Sequence, residues 1–165
     1  MNGTERASVS ASATDQGQRR FATFVVDGLL FGVEVQRVQE VLRGQEMTPV
    51  PRAPAVIEGL INLRGQIVTA IDVRRRLGLR PRAADQSPMN IVIQAEDGAV
   101  SLLVDEIGDV LDVEPSAFER VPENVATGIR DLATGVYKLN ERLLLVLDTS
   151  KTIEVSAAGS RAGVH

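Results

Sequence analysis

Apolar and polar residues alternate along most of this chain with the period of a β-strand. Phe21, Thr23 and Val25, then Leu29, Phe31, Val33 and Val35, fall on either side of Asp27-Gly28. A period of two broken by an Asp-Gly dipeptide predicts a β-hairpin with a two-residue turn. Val35, Val38, Val41 and Leu42 next fall at helical spacing, whereas Val38, Glu40 and Leu42 alternate as a strand would. The reading adopted is a short helical turn followed by an extended segment. Pro49, Pro51 and Pro54 forbid regular ladder pairing, so a loop follows. Val56, Ile57, Leu60, Ile61 and Leu63 then lead into a turn at Asn62-Leu63-Arg64-Gly65, and Ile67, Val68, Ala70 and Ile71 lead out of it. This is a second hairpin, with Gly65 free to take a positive φ and Arg64 at its tip. Asp72 is placed to cap a helical turn over Val73 to Leu77, with Gly78 as the left-handed stop.

The segment LRPRAADQSP has linker chemistry and suggests a subdomain boundary near Asp85. Subdomain 1 would cover about 21–85 and subdomain 2 about 86–155, with exchange of strands between them left open. Ile91, Val92 and Ile93 lead to a turn at Asp97-Gly98, from which Val100, Leu102 and Val104 return. Ile107, Val110, Leu111 and Val113 continue the pattern past Gly108, and Pro115 and Pro122 bracket a polar connection in which Phe118 is the expected buried anchor. The stretch Ile129 to Tyr137 leads to a strand, a turn follows near Asn140-Glu141, and Leu143 to Leu147 reads as a strand covered on both faces. Asp148 is placed to start a last helical turn through Ile153. Short strands separated by Gly, Pro and Asp turns, with only short helical turns between them, predict a mainly β barrel or sandwich fold.

Composition narrows the chemistry. Aromatic residues are 3% of the chain, so Val, Leu, Ile and Ala must fill its interior. The absence of cysteine excludes disulfides and thiolate metal sites. Residues 1–20 and 156–165 read as a disordered lead and tail, and no apolar run is long enough to insert in a membrane. A net charge of −4 argues against nucleic acid as a partner. The one basic concentration, Arg74-Arg75-Arg76 with Arg80 and Arg82, lacks interleaved aromatic residues and reads as a solvated charge cluster, a partner-binding patch being the alternative. His165, the only histidine, ends the chain, and no nucleophile elbow or phosphate loop is visible. Asp72, Asp105 and Asp109 lie near apolar strands, where a raised pKa could make one a general acid. The simpler reading has them capping turns or pairing with arginines. No cofactor is implied, and a small enzyme or ligand-binding barrel with an acidic cleft is the rival reading.

The G-x-x-N-L-R-G-x-I-V-x-x-I-D-x-R pattern from Gly59 to Arg74 resembles the signature of the CheW family of bacterial chemotaxis coupling proteins. Phe21 to Leu42, with its V-Q-E tripeptide at Val38 to Glu40, is similar to the family's opening, and Val100 to Val113 resembles its V-D-x-V-x-D-V-L segment. Thr69-Ala70 stands where many members have proline after the I-V pair. The resemblance implies two five-stranded Src-homology-3-like (SH3-like) barrels packed around a third apolar core. It implies a cytoplasmic, non-catalytic adaptor, associated with membrane receptor arrays, that joins a chemoreceptor tip to the regulatory domain of a CheA-type histidine kinase. An adaptor of a pilus-motility or other non-flagellar array is the variant of that reading. Glu40 and Arg64 match the receptor-coupling residues, and Val38, Ile107 and Val110 match the receptor groove. The loop Arg43 to Arg52, with Met47 and Val50, is the expected part of the kinase contact.

Overall fold

The alternation along each strand distributes side chains among separate apolar cores. The computed structural model describes residues 19–154. In it β1 (Arg19–Val26) and β2 (Leu29–Glu34) form the first hairpin, and a 3-10 turn (Val35–Arg37) leads into β3 (Val38–Leu42). The second hairpin is β4 (Ile57–Leu63) and β5 (Gln66–Asp72), followed by the one-turn helix α1 (Val73–Arg76). Then come β6 (Met89–Ala95), β7 (Gly98–Val104), β8 (Glu106–Val113), a 3-10 turn (Pro115–Ala117) and the two-residue β9 (Phe118–Glu119). The fold ends with α2 (Thr127–Leu132), β10 (Ala133–Lys138), β11 (Leu143–Leu147) and helical residues 149–154. The expected disorder at 1–18 and 156–165 lies outside the described residues, as does residue 155.

Local chemistry places most of these boundaries. Asp27 (φ 51°) and Gly28 (φ 79°) form the two-residue turn that the Asp-Gly pair predicts. The Asp72 carboxylate accepts the Arg74 N–H at 3.0 Å, and Gly78 (φ 76°) ends the helix with Leu79 N–H donating to the Arg74 carbonyl, a Schellman arrangement. Three local expectations are corrected. The β6–β7 turn is Glu96-Asp97, one residue earlier than Asp97-Gly98, because Ala95 pairs with Gly98. Strand β1 starts at Arg19 rather than after residue 20, with Arg19 and Arg20 paired to Glu34 and Asp112. Phe118 is 43% exposed instead of a buried anchor.

One sheet has the strand order β8-β1-β2-β11-β10-β9 and the other β3-β6-β7-β5-β4. The fold is mainly β, with β9 as a short sixth strand where five were expected. The sheets are not successive in the chain. Strands β6 and β7 join β3 to β5, while β1 and β2 join β8 to β11, through the parallel pairs β5/β7 and β2/β11. A cut near Asp85 therefore separates strands that are hydrogen-bonded to one another. The five-stranded sheet curls back on itself, since Thr48, in the loop after β3, exchanges two backbone hydrogen bonds of 2.9 and 2.8 Å with Leu60 of β4.

The largest core lies between the sheets, where Phe24, Val26, Phe31 and Val33 meet Ile71, Ile91, Ile93 and Leu102. The opposite face of the six-stranded sheet buries Phe21, Leu30, Tyr137 and Leu144. That of the five-stranded sheet buries Ile61, Ala70 and Leu103, with Val68 and Val92 beside them. At about 25 cal/mol per Å² of apolar surface removed from water, these three layers supply the bulk of the driving force.

Ion pairs buried at the junction of the sheets correct the expectation of a solvated arginine cluster for Arg74 and Arg82, while Arg75 and Arg80 are exposed as expected. Arg74 is 7% exposed and Asp105 9%. The Arg74 guanidinium reaches the Asp105 carboxylate through Nη2 at 2.6 Å and Nε at 3.0 Å, and Arg82 Nε reaches it at 3.2 Å. The same carboxylate accepts the Asp27 N–H at 2.7 Å, and Arg82 also approaches Asp72 at 3.5 Å. Arg76 instead donates to the carbonyls of Lys151 and Thr152, tying the closing helical turn to α1. Burial pushes the Asp105 carboxyl up, but the hydrogen bonds from Arg74 and the Asp27 N–H, with the charges of Arg74 and Arg82, outweigh it and hold it below the usual carboxylate range. Asp105 is thus an ionised structural anchor, and the general-acid reading fails for it.

Arg74→Ala strips Asp105 of its bidentate partner and leaves it only Arg82 and the Asp27 N–H, which should cost about 3 kcal/mol in urea unfolding at neutral pH. Because the folded carboxyl titrates below its ordinary value, its contribution is complete above the unfolded pKa of about 4 and is lost as pH falls through the folded value. The gap between wild type and variant should therefore narrow on acidification. Equal urea midpoints at pH 7 would show that the pair does not hold the sheets together.

Candidate functional site

Glu40 lies on β3, at one edge of the five-stranded sheet, and Arg64 lies at the tip of the β4–β5 hairpin on its other side. Curling of the sheet brings them together. Arg64 Nη1 donates to both Glu40 carboxylate oxygens, at 2.8 and 3.0 Å. The sequence left open whether these residues pair with each other; in the free chain they do. The Arg64 side chain is 78% exposed and that of Glu40 21%, so the pair contributes at most about 1 kcal/mol to folding. Its effect is to orient a fork whose Nε and Nη2 have no partner among the described residues. Arg64 itself has φ 53° beside Gly65 at φ 86°, the conformation of a turn that prefers Asn-Gly. An arginine there carries backbone strain of order 1 kcal/mol. The Asn62 side chain supports the turn by accepting the Gly65 N–H at 3.0 Å.

A β-bulge places the next two candidates on one face. Ile107 pairs with Phe24 and Val110 with Ala22, so Gly108 and Asp109 both stand opposite Thr23. The Thr23 hydroxyl donates to the Asp109 carbonyl, and a Cβ on residue 108 would collide with that hydroxyl, which is why glycine stands there. Without the bulge, residues three apart would face opposite ways. With it, Ile107 (37% exposed) and Val110 (53% exposed) share the face of Phe24, whose ring lies in the inter-sheet core. Val38 is half-buried and packs against that same core.

Two exposed apolar residues escaped the sequence reading. Val41 pairs with Ile91, and Ile67 is four residues before Ile71 in the same strand; both core partners point between the sheets. Val41 and Ile67 thus belong to the face that builds the inter-sheet core, at its exposed margin. The signal was present as apolar parity, but nothing in sequence says where a core ends. Strands β3 and β8 are edges of different sheets, and among the described residues no hydrogen bond or ion pair joins Glu40 or Arg64 to Ile107 or Val110.

Met47 and Val50 have different surroundings. Met47 is half-buried against Ile61, Ala70 and Leu103, so its side chain belongs largely to the barrel core. Val50 is half-buried in the proline loop. The loop is seated on β4, since a Cβ added at Gly59 would lie 2.7 Å from the Thr48 carbonyl oxygen. Among the described residues, no group of three or more His, Asp or Glu side chains is arranged to hold a metal ion, and no helix is long and apolar enough to cross a membrane.

Residues 20–157 match the family described as CheW-like domain. The chain is 30% identical to the probable chemotaxis protein CheW of Rhizobium etli, over 86% of this chain and 91% of that one. It is also 30% identical to the chemotaxis protein CheW of Bacillus subtilis, over 86% and 90%. Among solved structures, the scaffolding protein TtCheW from Thermoanaerobacter tengcongensis superposes with a TM-score of 0.71 at 26% identity, covering 79% of this chain and 88% of that one.

Replacing Arg64 with the residue its turn prefers separates stability from recognition. Arg64→Asn relieves the backbone while removing the exposed ion pair, so unfolding free energy should stay within about 1 kcal/mol of wild type. A loss well beyond that in chemical denaturation would make Arg64 a structural residue.

Proposed function

The chain belongs to the CheW-like domain family, and from that premise we propose that it is a non-catalytic adaptor coupling the cytoplasmic tip of a chemoreceptor to the regulatory domain of a CheA-type histidine kinase. The observation that carries this reading is the Arg64–Glu40 pair: a permanently charged fork, strained in its backbone and pre-oriented by a carboxylate, contributes little to folding and is positioned for a partner. The exposed apolar residues Ile107 and Val110, with half-buried Val38, supply the other half of such a surface. An amphipathic receptor helix would bury apolar side chains there without new backbone pairing, while the charges set its register.

The kinase contact is assigned to the loop containing Met47 and Val50. Because Met47 packs into the barrel, Val50 and its neighbours would make the direct contact, with Met47 stiffening the loop that presents them. Two surfaces on one rigid framework raise the local concentration of kinase at the receptor and let receptor state bias kinase conformation, with no reaction on the adaptor itself. Its place of action is the cytoplasmic side of membrane receptor arrays.

The test is reconstitution with purified receptor-tip and kinase fragments from the same organism. Arg64→Glu and Glu40→Lys should each weaken receptor capture by about tenfold or more, as expected for a charged pair at the centre of an interface, while kinase capture persists. Wild-type protein that is folded yet captures neither fragment overturns the proposal.

A further inference from the structure

An open cavity of about 400 Å³ lies on the six-stranded sheet, lined among others by Arg37, Phe118, Tyr137, Asp148 and Thr149. None of these residues belongs to the surface assigned above. The cavity's acids are engaged, since Glu34 pairs with Arg19 at 3.2 Å and the Asp148 carboxylate accepts the Lys151 N–H at 3.0 Å. Its donors are not. Tyr137 is 3% exposed and Thr149 7%, yet neither hydroxyl has a hydrogen-bond partner among the described residues. Arg37, in the 3-10 turn after β2, likewise makes no ion pair or hydrogen bond among them. A buried hydroxyl without a partner is costly and is ordinarily satisfied by something bound. Phe118 forms an aromatic wall, its ring 5.2 Å from that of Tyr137, which also lies 5.6 Å from the ring of Phe21. The wall is exposed although it is a large apolar ring.

We propose that this cavity is a binding site for a carboxylate attached to a planar apolar group, the ring packing on the exposed Phe118 and the carboxylate meeting Arg37 with the Tyr137 and Thr149 hydroxyls. Arg37 offsets the charge of Asp148 as Arg19 offsets that of Glu34, so the three donors without a partner, rather than a net positive field, favour a carboxylate, and the aromatic wall selects what carries it. Burial pushes the Tyr137 phenol up, so it remains a donor at neutral pH. Its volume falls within the range of small-molecule sites, and the mouths of small β-barrels are common places for them. The same chemistry can arrive as a free aromatic acid or as an acidic-aromatic segment of a polypeptide. The site does not depend on the adaptor reading.

The experiment titrates the full-length, isotopically labelled protein with phenylacetate and with an N-acetylated, C-amidated Asp-Phe dipeptide, following backbone amide shifts. Shifts at residues 134–137 and 148–150, and none at Glu40 or Arg64, are expected. Tyr137→Phe and Arg37→Gln, which keep the packing, should each weaken binding by about fivefold, as for loss of one hydrogen bond or charge-assisted contact. The Asn-Phe analogue should bind less tightly than Asp-Phe. Tighter binding of the dipeptide identifies a polypeptide source, and tighter binding of phenylacetate a free acid. No saturable shift with either probe, or binding unchanged in both variants while their melting temperatures match wild type, overturns the proposal.

Discussion

The buried contact between Arg74 and Asp105 is the constraint on which the rest of the architecture turns. It joins the start of α1, at the end of a strand in one sheet, to the junction of β7 and β8, where the chain leaves that sheet for the other. The Asp27 N–H donates to the same carboxylate, so the first hairpin is tied to the junction as well. Charges withdrawn from water are costly unless their hydrogen bonds are met, and here they are: the Arg74 guanidinium also donates to the Arg80 carbonyl at 3.1 Å. Arg82 closes the network from the linker. The bidentate geometry constrains the orientation of the two groups as well as their separation.

A frame held in this way can carry a strained rim. The left-handed Arg64 carries that strain, while the bulge at Gly108–Asp109 departs from regular pairing and turns Ile107 and Val110 to one face. Strain of that kind persists only where the surroundings over-determine the backbone. At the hairpin the determinants are the β4–β5 ladder and the Asn62 side chain; at the bulge they are the β1 ladder and the Thr23 hydroxyl. The adaptor function proposed here needs such rigidity, because a flexible link between two partners transmits proximity but not conformation.

Much of the fold was legible in the sequence because it is local. The Asp27-Gly28 turn, the Asp72 cap, the Gly78 stop and the helical turn before Val38 each follow from residue chemistry within a few positions. Glu40 and Arg64 were singled out by their motif, whereas their mutual hydrogen bonds depend on residues 24 apart meeting across a curled sheet. Phe118 was misread because an apolar residue between prolines reads as an anchor, and only packing shows that its ring lies at the rim of a cavity.

Sequence by itself determined most of the strands and their turns, the apolar side of the regularly alternating strands, and the family resemblance. Tertiary structure alone decided that the two sheets exchange strands across the linker, that Arg74 is buried with Arg82 drawn onto the same carboxylate, and where the apolar faces run out into solvent at Val41, Ile67, Ile107 and Val110. The reason is range. Alternation and turn chemistry act over a few bonds, but strand order, ion pairing between segments and the edge of a core are set by which distant surfaces meet, and a linear pattern of residues does not encode that partner.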